Sequence, residues 1–595
     1  MAPIINDFTL NIATANGTGS QSANLILLQS MFDMGIEVSG KNLFPSNISG
    51  LPTWYIIRVS DQGYQAPGNR VDIQVLVNPA TWEEDLAALE PGTVVVWNSD
   101  GKLPMEREDV ISYPIPMNSL ARKLNPKLAK LVSNIIYVGA LAEILGIDNA
   151  ALESAVMKQF KGKASAIELN TSALSLGREY FIENLSKQDN YVLEPRERTQ
   201  ERFFIEGNEA TALGCIFGGV QMLSWYPITP SSSLAESIIA YVPKLRLNSE
   251  GEPTVAVIQS EDELAAAGMV IGAGWAGARG MTATSGPGIS LMQEFIGLAY
   301  FAEVPSVFWD VNRVGPSTGL PTRTQQSDIQ ILYEGSHGDT QHIVLIPGTV
   351  EECFEFGWKA FDVAERYQTP VFGLSDLDLG MNRWSCAGFD YPDQPMDRGK
   401  VIRDKDVFEA FEDFGRYKDV DGDGIPYRTL PGSGMDPILY RGTGHNEKGK
   451  YSEKPEDYLY LMNRLRQKIT NARNDLPAPI LRQEDECEIG IIYLGSMENS
   501  IQEIDDILES TGMKVSQCRV RALPLHGEIE SFIERHEMVI VLEINRDGQL
   551  YTIIRKEIPN HLVPKVHSVA YSDGMPPRAK IYAEKILEKI EEVRL

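Results

Sequence analysis

Short apolar runs alternate with segments of helical length from residue 207 onward, and this alternation constrains the fold of the chain most strongly. Such runs are TVAVIQ (254–259), GMTATS (280–285), PSVFWDV (305–311) and TPVFGLS (369–375). Runs of this kind are typical of strands that are buried on both faces of a parallel sheet covered by helices. The pattern therefore predicts an α/β domain, which we assign to residues 200–395.

Comparable patterns predict two further α/β units, one at each end of the chain. FTLNIATA (8–15), a glycine-containing turn and an apolar helix open the first unit, residues 1–190, and the charged residues 185–204 form its linker. The last unit, residues 486–595, alternates apolar strands with helices. Residues 396–480 are rich in charge, glycine and proline, and they predict an extended excursion between domains.

Charge and hydropathy argue against several classes of partner. The 595 residues carry a net charge of −28 with an isoelectric point near 4.8, which disfavours nucleic acid and anionic membranes as partners. No apolar run approaches the roughly 18 residues that a membrane-spanning helix needs. The N-terminal MAPIINDFTL lacks the pattern of a signal peptide. We expect a cytoplasmic protein.

The cysteines and histidines show no metal-binding spacing. The 5 cysteines are scattered without a CxxC pair, and the 7 histidines form no HExxH motif. In a reducing compartment such cysteines are typically buried free thiols. We expect no protein-bound transition metal and no iron–sulfur cluster in this chain.

Polar motifs follow the apolar runs of the central unit. EDE follows TVAVIQS, SGPG follows MTATS, and NR follows VFWDV. Because ligands of open α/β sheets bind outside the carboxyl ends of the strands, these motifs predict one site at that edge. In YPITPSSSLAE (226–236), two prolines restrict the backbone and three serines open a helix. A stiff strand-to-helix corner without a ligand is the alternative.

Five motifs in one order resemble the α subunits of 2-oxoacid:ferredoxin oxidoreductases. They are YPITP (226–230), SEDELAAAG (260–268), TSGPG (284–288), NRVGPSTGLPT (312–322) and QSDI (326–329). The resemblance covers nearly the whole chain and points to the long α chains with a fused γ domain, often 2-oxoglutarate:ferredoxin oxidoreductases. It implies an α/β multidomain fold with a Rossmann-like γ domain, a thiamine-diphosphate-binding-type domain of the pyrimidine side, and a C-terminal domain like that of transketolase.

The resemblance also implies a cofactor-activating carboxylate. Thiamine diphosphate becomes reactive only when a carboxyl group hydrogen-bonds its aminopyrimidine ring. This role is assigned to Glu263, with Glu261 as the fallback, and Tyr226, Pro227 and Ile228 are placed beside the cofactor. A solvated carboxylate at a helix start is the alternative for both glutamates.

Substrate contacts are implied in the same way. Arg313 matches the arginine that holds the substrate carboxylate, while Thr229 and Thr322 match substrate-side threonines, and Arg313 and Thr229 act at the reacting end. Arg323 and the Ser317–Thr318 pair are candidates for holding a second, distal carboxylate. An arginine after a strand otherwise pairs with a structural acid.

The γ domain of the family is associated with coenzyme A, which makes Gly17, Gly19 and Ser20 candidate contacts. The resemblance implies a β subunit carrying thiamine diphosphate, Mg²⁺ and a [4Fe-4S] cluster, an (αβ)₂ heterotetramer, and ferredoxin as electron acceptor. The implied reaction is the reversible oxidative decarboxylation of 2-oxoglutarate to succinyl-CoA and CO₂, which in reverse carboxylates an acyl-CoA. Pyruvate or branched-chain 2-oxoacids remain alternative substrates, and a noncatalytic assembly subunit is the alternative from another class.

One acidic loop lies in the excursion. Asp419, Asp421 and Asp423 form a DxDxDG pattern, which is typical of calcium loops. The twelfth position is Leu430, where such a loop needs a bidentate glutamate. We favour a structural turn, with a cation site as the alternative.

Overall fold

The computed structural model describes residues 2–46, 50–101, 103–435, 440–484 and 487–595. Glu486, where we set the start of the last unit, lies outside the described residues. The strands are β1 (Ile4–Ile5), β2 (Phe8–Ala15), β3 (Val38–Leu43), β4 (Pro52–Val59), β5 (Ile73–Leu76), β6 (Val94–Asn98), β7 (Ile111–Ile115), β8 (Tyr191–Val192), β9 (Phe203–Glu206), β10 (Met222–Trp225), β11 (Ala256–Gln259), β12 (Gly280–Thr284), β13 (Ser306–Asn312), β14 (Ile343–Leu345), β15 (Pro370–Asp376), β16 (Arg383–Cys386), β17 (Ile480–Arg482), β18 (Ile489–Leu494), β19 (Ser516–Val520), β20 (Ala522–Leu523), β21 (Met538–Glu543) and β22 (Val566–Ala570).

The helices are α1 (Ser20–Asp33), α2 (Trp82–Ala87), α3 (Met117–Leu124), α4 (Ala129–Leu145), α5 (Asn149–Phe160), α6 (Ala164–Asn184), α7 (Gly207–Phe217), α8 (Ser232–Leu245), α9 (Glu263–Trp275), α10 (Gly286–Ala302), α11 (Ile329–Tyr333), α12 (Val350–Tyr367), α13 (Leu377–Met381), α14 (Lys405–Glu409), α15 (Pro455–Ala472), α16 (Glu498–Ser510), α17 (Gly527–Arg535), α18 (Gln549–Glu557) and α19 (Ala579–Arg594). The predicted α/β class is confirmed.

The first sheet has eight strands in the order β7-β6-β5-β2-β4-β3-β16-β9. Strands β2, β5, β6 and β7 run parallel, whereas β4, β3, β16 and β9 pair with their neighbours in antiparallel fashion. Its larger core lies under α1, α4, α5 and α6. β9 and β16 flank the central unit along the chain, so they join that unit to the N-terminal sheet. The domain bounds that we set from the sequence stay a prediction.

The second sheet contains the predicted parallel strands. Its order is β11-β10-β12-β13-β15-β14-β20, and its first six strands are parallel. The antiparallel seventh, β20, comes from the C-terminal unit. Helices α7, α8 and α12 pack on one face, while α9, α10 and α11 pack on the other. All parallel strands therefore end at the same edge.

The C-terminal unit shares a core with the central one. Its sheet has the order β17-β19-β18-β21-β22. Helices α16 and α19 cover one face, and side chains of the other face pack with α17 and α18 against α10 and α11.

The excursion contains a helix that we did not predict, since α15 spans 18 residues. Its cations Arg464 and Lys468 bond to Glu303, at 2.9 Å for Arg464 Nη1 and 2.8 Å for Lys468 Nζ. Burial raises the pKa of Glu303, but these cations reverse the effect and hold the pKa well below its ordinary value. Arg416 Nη2 also donates to the Glu303 carbonyl at the end of α10, at 2.9 Å. The excursion is thus fastened to a helix C-terminus, where cations are favoured.

Among the described residues, no single helix is both long and apolar enough to cross a membrane. The bent pair α3 and α4, with 118° between them, reaches the required length and composition only jointly.

Lys41 on β3 links the N-terminal unit to the central one. Its Nζ lies 2.9 Å from Asp378 Oδ1 and 3.5 Å from the ring centre of Trp384, and both charged side chains are buried. Burial lowers the pKa of Lys41, an effect that Asp378 opposes. Removing one partner would leave the other charge buried and unpaired.

We expect Lys41→Met to lower the free energy of unfolding of the first sheet by about 3–5 kcal/mol, measured by urea denaturation. Lys405→Met is the matched control, because Lys405 and Glu409 form an exposed pair, and it should cost under about 0.5 kcal/mol. Adding Asp378→Leu to Lys41→Met should recover part of the loss. Equal effects of Lys41→Met and Lys405→Met would contradict this account.

Candidate functional site at the carboxyl edge of the central sheet

The predicted motifs lie together at one edge of the second sheet. Tyr226 follows β10, Glu263 opens α9 just beyond β11, Ser285 follows β12 and Arg313 follows β13. These strands are adjacent and parallel, so their carboxyl ends and the loops after them form one rim.

Arg313 is a buried arginine that forms no direct ion pair with the described residues. Its Nη1 donates to the Thr229 carbonyl at 2.9 Å, and the side chain is only 7% exposed. No carboxylate within the described ranges lies within 4.0 Å of it, and its Nε is buried without a hydrogen-bond partner. Burial lowers the pKa of Arg313, and the more distant Asp328 and Asp310 oppose this. The structural ion pair that was the alternative for Arg313 is absent from this part of the chain.

Arg313 and Thr322 lie at the two ends of one loop, Arg313 at its start and Thr322 at its end. Val314 N donates to the Arg323 carbonyl at 3.3 Å, which closes the loop. Arg323 Nη1 donates to the Thr322 carbonyl at 2.9 Å and to the Phe44 carbonyl at 3.1 Å. A segment of the N-terminal unit therefore contacts the rim. Ser317 and Thr318 lie at the exposed tip of the same loop.

Glu263 and Glu261 differ sharply in environment. Glu263 is 6% exposed, whereas Glu261 is exposed to solvent. Asp262 caps α9 by accepting a hydrogen bond from Ala265 N at 2.7 Å, which leaves the Glu263 carboxylate available for other partners. The methylene groups of Glu263 pack on Gly288, where a Cβ atom would come within 2.9 Å of Glu263 Cγ. The SGPG glycine thus makes room for Glu263.

The serines of the YPITPSSS turn hold the turn itself. Ser232 Oγ accepts from Ile228 N at 3.0 Å, Ser231 Oγ donates to the Ile228 carbonyl at 3.0 Å, and Asn208 Nδ2 donates to Ser233 Oγ at 2.8 Å. These contacts stabilise the turn and do not identify a ligand at the start of this helix. Tyr226 is 38% exposed and Pro227 is also exposed.

The turn from Gly17 to Ser22 borders a cavity of about 620 Å³ in the first unit. Gly17 and Gly19 have φ of 80° and 79°, which favours glycine, and Ser20 is the buried first residue of α1. Gly19 and Ser22 line the cavity together with apolar side chains of α4, α5 and α6 and with polar residues that include Glu168 and Asn170. Exposed basic side chains stand in the sequence next to lining residues: Lys123, Lys127, Lys130, Lys161 and Lys163.

Two buried acids of the rim received no role from the sequence. Asp310 lies inside β13 and is fully buried, and its carboxyl group neighbours that of Asp328 without a hydrogen bond from any N–H or hydroxyl group of the described residues. Burial raises the pKa of Asp310 well above its ordinary value, and the charge of Asp328 adds to this. Burial also raises the pKa of Asp328, to about 6. An aspartate within an apolar strand was the available signal for Asp310, and the QSDI motif was the signal for Asp328.

Lys400 occupies the DxDxDG loop. Its Nζ lies 2.7 Å from Asp421 Oδ2 and 2.8 Å from Asp423 Oδ1. Asp419 instead accepts hydrogen bonds from Gly422 N and Gly424 N at 2.8 and 2.9 Å. The loop is a structural turn that carries its own cation. Within the described ranges, no group of three or more His, Cys, Asp or Glu side chains could hold a metal ion. The cysteines are free thiols, and all except the partly exposed Cys487 are buried.

Two family models match the chain. Residues 213–384 match a model described as "Pyruvate flavodoxin/ferredoxin oxidoreductase, thiamine diP-bdg", and residues 9–180 match "Pyruvate ferredoxin/flavodoxin oxidoreductase". The fold and the rim thus define a multidomain α/β protein with a domain of the thiamine-diphosphate-binding type.

Full-length relatives specify the family. The chain is 30% identical to "2-oxoacid:ferredoxin oxidoreductase 2, subunit alpha" of Aeropyrum pernix, over 92% of this chain and 93% of that protein. It is 36% identical to "2-oxoglutarate synthase subunit KorA" of Methanothermobacter marburgensis, over 60% of this chain and 91% of that one. The chain belongs to the α subunits of the 2-oxoacid:ferredoxin oxidoreductases, which confirms the resemblance.

A solved structure agrees over almost the whole length. It is the "2-oxoglutarate:ferredoxin oxidoreductase from Magnetococcus marinus with 2-oxoglutarate, coenzyme A and succinyl-CoA bound", with a TM-score of 0.87 and 29% identity over 98% of this chain and 100% of that one.

Proposed function

We propose that this chain is the α subunit of a thiamine-diphosphate-dependent 2-oxoglutarate:ferredoxin oxidoreductase. With a β subunit it would catalyse the reversible, coenzyme A-dependent oxidative decarboxylation of 2-oxoglutarate to succinyl-CoA and CO₂, passing electrons to ferredoxin. The observation that carries this proposal is the buried Arg313 guanidinium, which lacks a counter-ion among the described residues.

A buried charge without a partner is costly, so its retention favours a ligand of opposite charge. Arg313 presents a planar fork that suits a carboxylate, and its contact with the Thr229 carbonyl orients it toward the rim. The 1-carboxylate of a 2-oxoacid meets these requirements. Thr229 and Thr322 would then contact the reacting end of the substrate.

Arg323 favours a dicarboxylate as substrate. It stands at the base of the same loop as Arg313, and burial lowers the pKa of its guanidinium. Two guanidinium groups at one loop base match the two carboxylates of 2-oxoglutarate, whereas pyruvate has only one. The relative named 2-oxoglutarate synthase and the Magnetococcus structure, which contains 2-oxoglutarate, agree with this choice.

Glu263 fits the role of the carboxylate that activates thiamine diphosphate. The cofactor, when bound, supplies the acidic carbon and the electron sink that decarboxylation of a 2-oxoacid needs. A buried carboxyl group cradled by Gly288 and free of the α9 cap can hydrogen-bond an aminopyrimidine ring. Exposed Glu261 cannot exclude water in the same way. Tyr226, Pro227 and Ile228 would border the ring from the neighbouring turn.

The surface around Glu263 fits a partner subunit. Leu264, Met269 and Trp275 on α9 are each 38–39% exposed, Leu291 on α10 is 50% exposed, and a Cβ atom at Gly272 would meet open space. An exposed apolar face next to a cofactor-activating group is expected where another chain completes the site. A β subunit would then supply the diphosphate contacts, Mg²⁺ and the [4Fe-4S] cluster, in an (αβ)₂ assembly.

The cavity beside Gly19 fits coenzyme A. Its apolar walls suit the pantetheine arm, and the adjacent lysines suit the phosphates in a chain whose net charge is −28. The Arg323–Phe44 contact joins this unit to the rim, where an acyl group would be transferred.

We expect Glu263→Gln to lower kcat about 10²- to 10⁴-fold, because the amide is a poor hydrogen-bond partner for cofactor activation. The assay is 2-oxoacid- and coenzyme A-dependent reduction of a viologen dye by the chain co-purified with its β subunit. Glu261→Gln is the matched control and should change kcat by less than about threefold. Unchanged turnover of an intact Glu263→Gln complex would favour the noncatalytic alternative, and a larger loss in Glu261→Gln would move the role to Glu261.

Substrate choice is tested in the same assay with 2-oxoglutarate and pyruvate. Arg313→Met should lower kcat/KM about a hundredfold or more for whichever acid is turned over, since both carry the 1-carboxylate. Arg323→Met should cost about tenfold or more with 2-oxoglutarate only. Exposed Arg546→Met serves as control. A preference for pyruvate that Arg323→Met leaves unchanged would keep the chemistry and replace the substrate.

The coenzyme A site is tested by filling the cavity. We expect Ala166→Phe, which places a ring among the lining residues, to weaken coenzyme A binding to the full complex at least about tenfold in titration calorimetry. Ala164→Phe, at the exposed start of the same helix, is the matched control. Equal affinities of the two variants for coenzyme A would exclude this cavity as the coenzyme A site.

A further inference from the structure

Asp310 and Asp328 form a carboxyl pair directly behind Arg313. Asp310 is fully buried, and neither of its oxygens receives a hydrogen bond from an N–H or a hydroxyl group of the described residues. The Asp328 carboxyl group is its polar neighbour, within reach of a hydrogen bond between the two acids. Two carboxyl groups can share a hydrogen bond only when one of them carries a proton.

The surroundings hold Asp328 in place. Asn312 Nδ2 donates to Asp328 Oδ2, and Asn312 Oδ1 in turn accepts from Ser327 N at 2.7 Å. On the other side, a Cβ atom at Gly286 would lie 2.5 Å from Asp328 Oδ2, so the carboxylate packs tightly on the start of α10. Asp328 therefore has partners of its own and does not reach Arg313, which has no ion pair within 4.0 Å in the described part of the chain.

We propose that Asp310 is the protonated member and donates a hydrogen bond to the Asp328 carboxylate, so that the pair keeps one negative charge behind Arg313 without occupying its N–H groups. The two acids are then positioning residues for Arg313, which stays charged and free for the substrate carboxylate. This inference rests on the proposed role of Arg313 in binding a 2-oxoacid.

The charges that face the pair agree with this assignment. Asp310 faces Asp328 and Arg313, while its neighbours in the sheet are Thr284 on β12 and Leu374 on β15. Burial raises the pKa of Asp310 well above its ordinary value, whereas hydrogen bonds from Asp310 and Asn312 restrain the rise in the pKa of Asp328. Near neutral pH the pair thus holds one proton and one charge, although its two titrations belong to the pair as a whole.

A consequence for substrate binding follows. When the pH rises far enough to remove the shared proton, a second negative charge appears beside Arg313 and opposes an anionic substrate. The KM for the 2-oxoacid should therefore rise with pH, at most about tenfold per pH unit, because one proton is linked to binding.

The kinetic test compares the wild-type αβ complex with Asp310→Asn over alkaline pH. The Asn side chain keeps an N–H donor for Asp328 and has no proton to lose in this range. We expect KM to rise with pH in the wild type and to stay flat in Asp310→Asn, with the difference in KM rather than kcat. Parallel KM profiles for the two proteins would overturn the inference.

An infrared measurement on the full-length chain needs no turnover. The difference spectrum between neutral and alkaline pH should contain the band of a protonated carboxyl group that shifts in D₂O and is missing from Asp310→Asn, whereas any band of Glu206, whose pKa burial raises to about 7, stays in both proteins. Asp328→Asn should move this band because it changes the hydrogen-bond acceptor. Absence of the band at neutral pH would overturn the inference, whereas a complex that retains the band but turns over no 2-oxoacid would overturn only the proposed function.

Discussion

A charge that leaves water must find an opposite charge inside the protein, and this constraint determines how the three units are joined. Lys41 pairs with Asp378 across 337 residues of sequence, Arg464 with Glu303 across 161, and Arg519 with Glu352 across 167. These pairs connect the N-terminal sheet, the excursion and the C-terminal unit, respectively, to the central domain. Because each pair is buried, displacing a unit would leave a buried charge unpaired. These contacts therefore favour one arrangement of the units.

Arg313 departs from this constraint at the one edge where the parallel strands of the central sheet end. Its side chain is buried, though less deeply than the cations of the structural pairs, and its fixed contact is a carbonyl group. The same rim holds Glu263, whose carboxylate is not used by the α9 cap. The rim therefore combines a cation and an acid that lack fixed ionic partners among the described residues, which is the state expected of groups that wait for ligands.

Local sequence patterns predicted much of this fold. The predicted strand FTLNIATA is β2 residue for residue, and the motifs at strand ends meet because parallel strands share an edge. The pairing of strands that are distant in the sequence could not be predicted. β9 and β16 join a sheet whose other strands lie within the first 115 residues, and no local pattern specifies such a partner. Likewise, Lys400 enters the acidic loop from about 20 residues upstream, so the sequence motif alone favoured a structural turn but left a cation site open as the alternative.

Asp310 shows why a residue can be easy to see and hard to interpret. A carboxyl group in the middle of an all-buried strand is destabilising unless it is neutral or paired, and a leucine or valine would pack there at lower cost. The NR and SGPG motifs place Asn312 and Gly286 against Asp328 of the QSDI motif, the neighbour of Asp310, so three segments of the rim converge on one buried carboxyl pair. Such convergence on a costly group is typical of functional sites, where stability is given up for geometry and charge. Asp310 is thus better explained by its proposed role in positioning Asp328 near Arg313 than by the packing of β13.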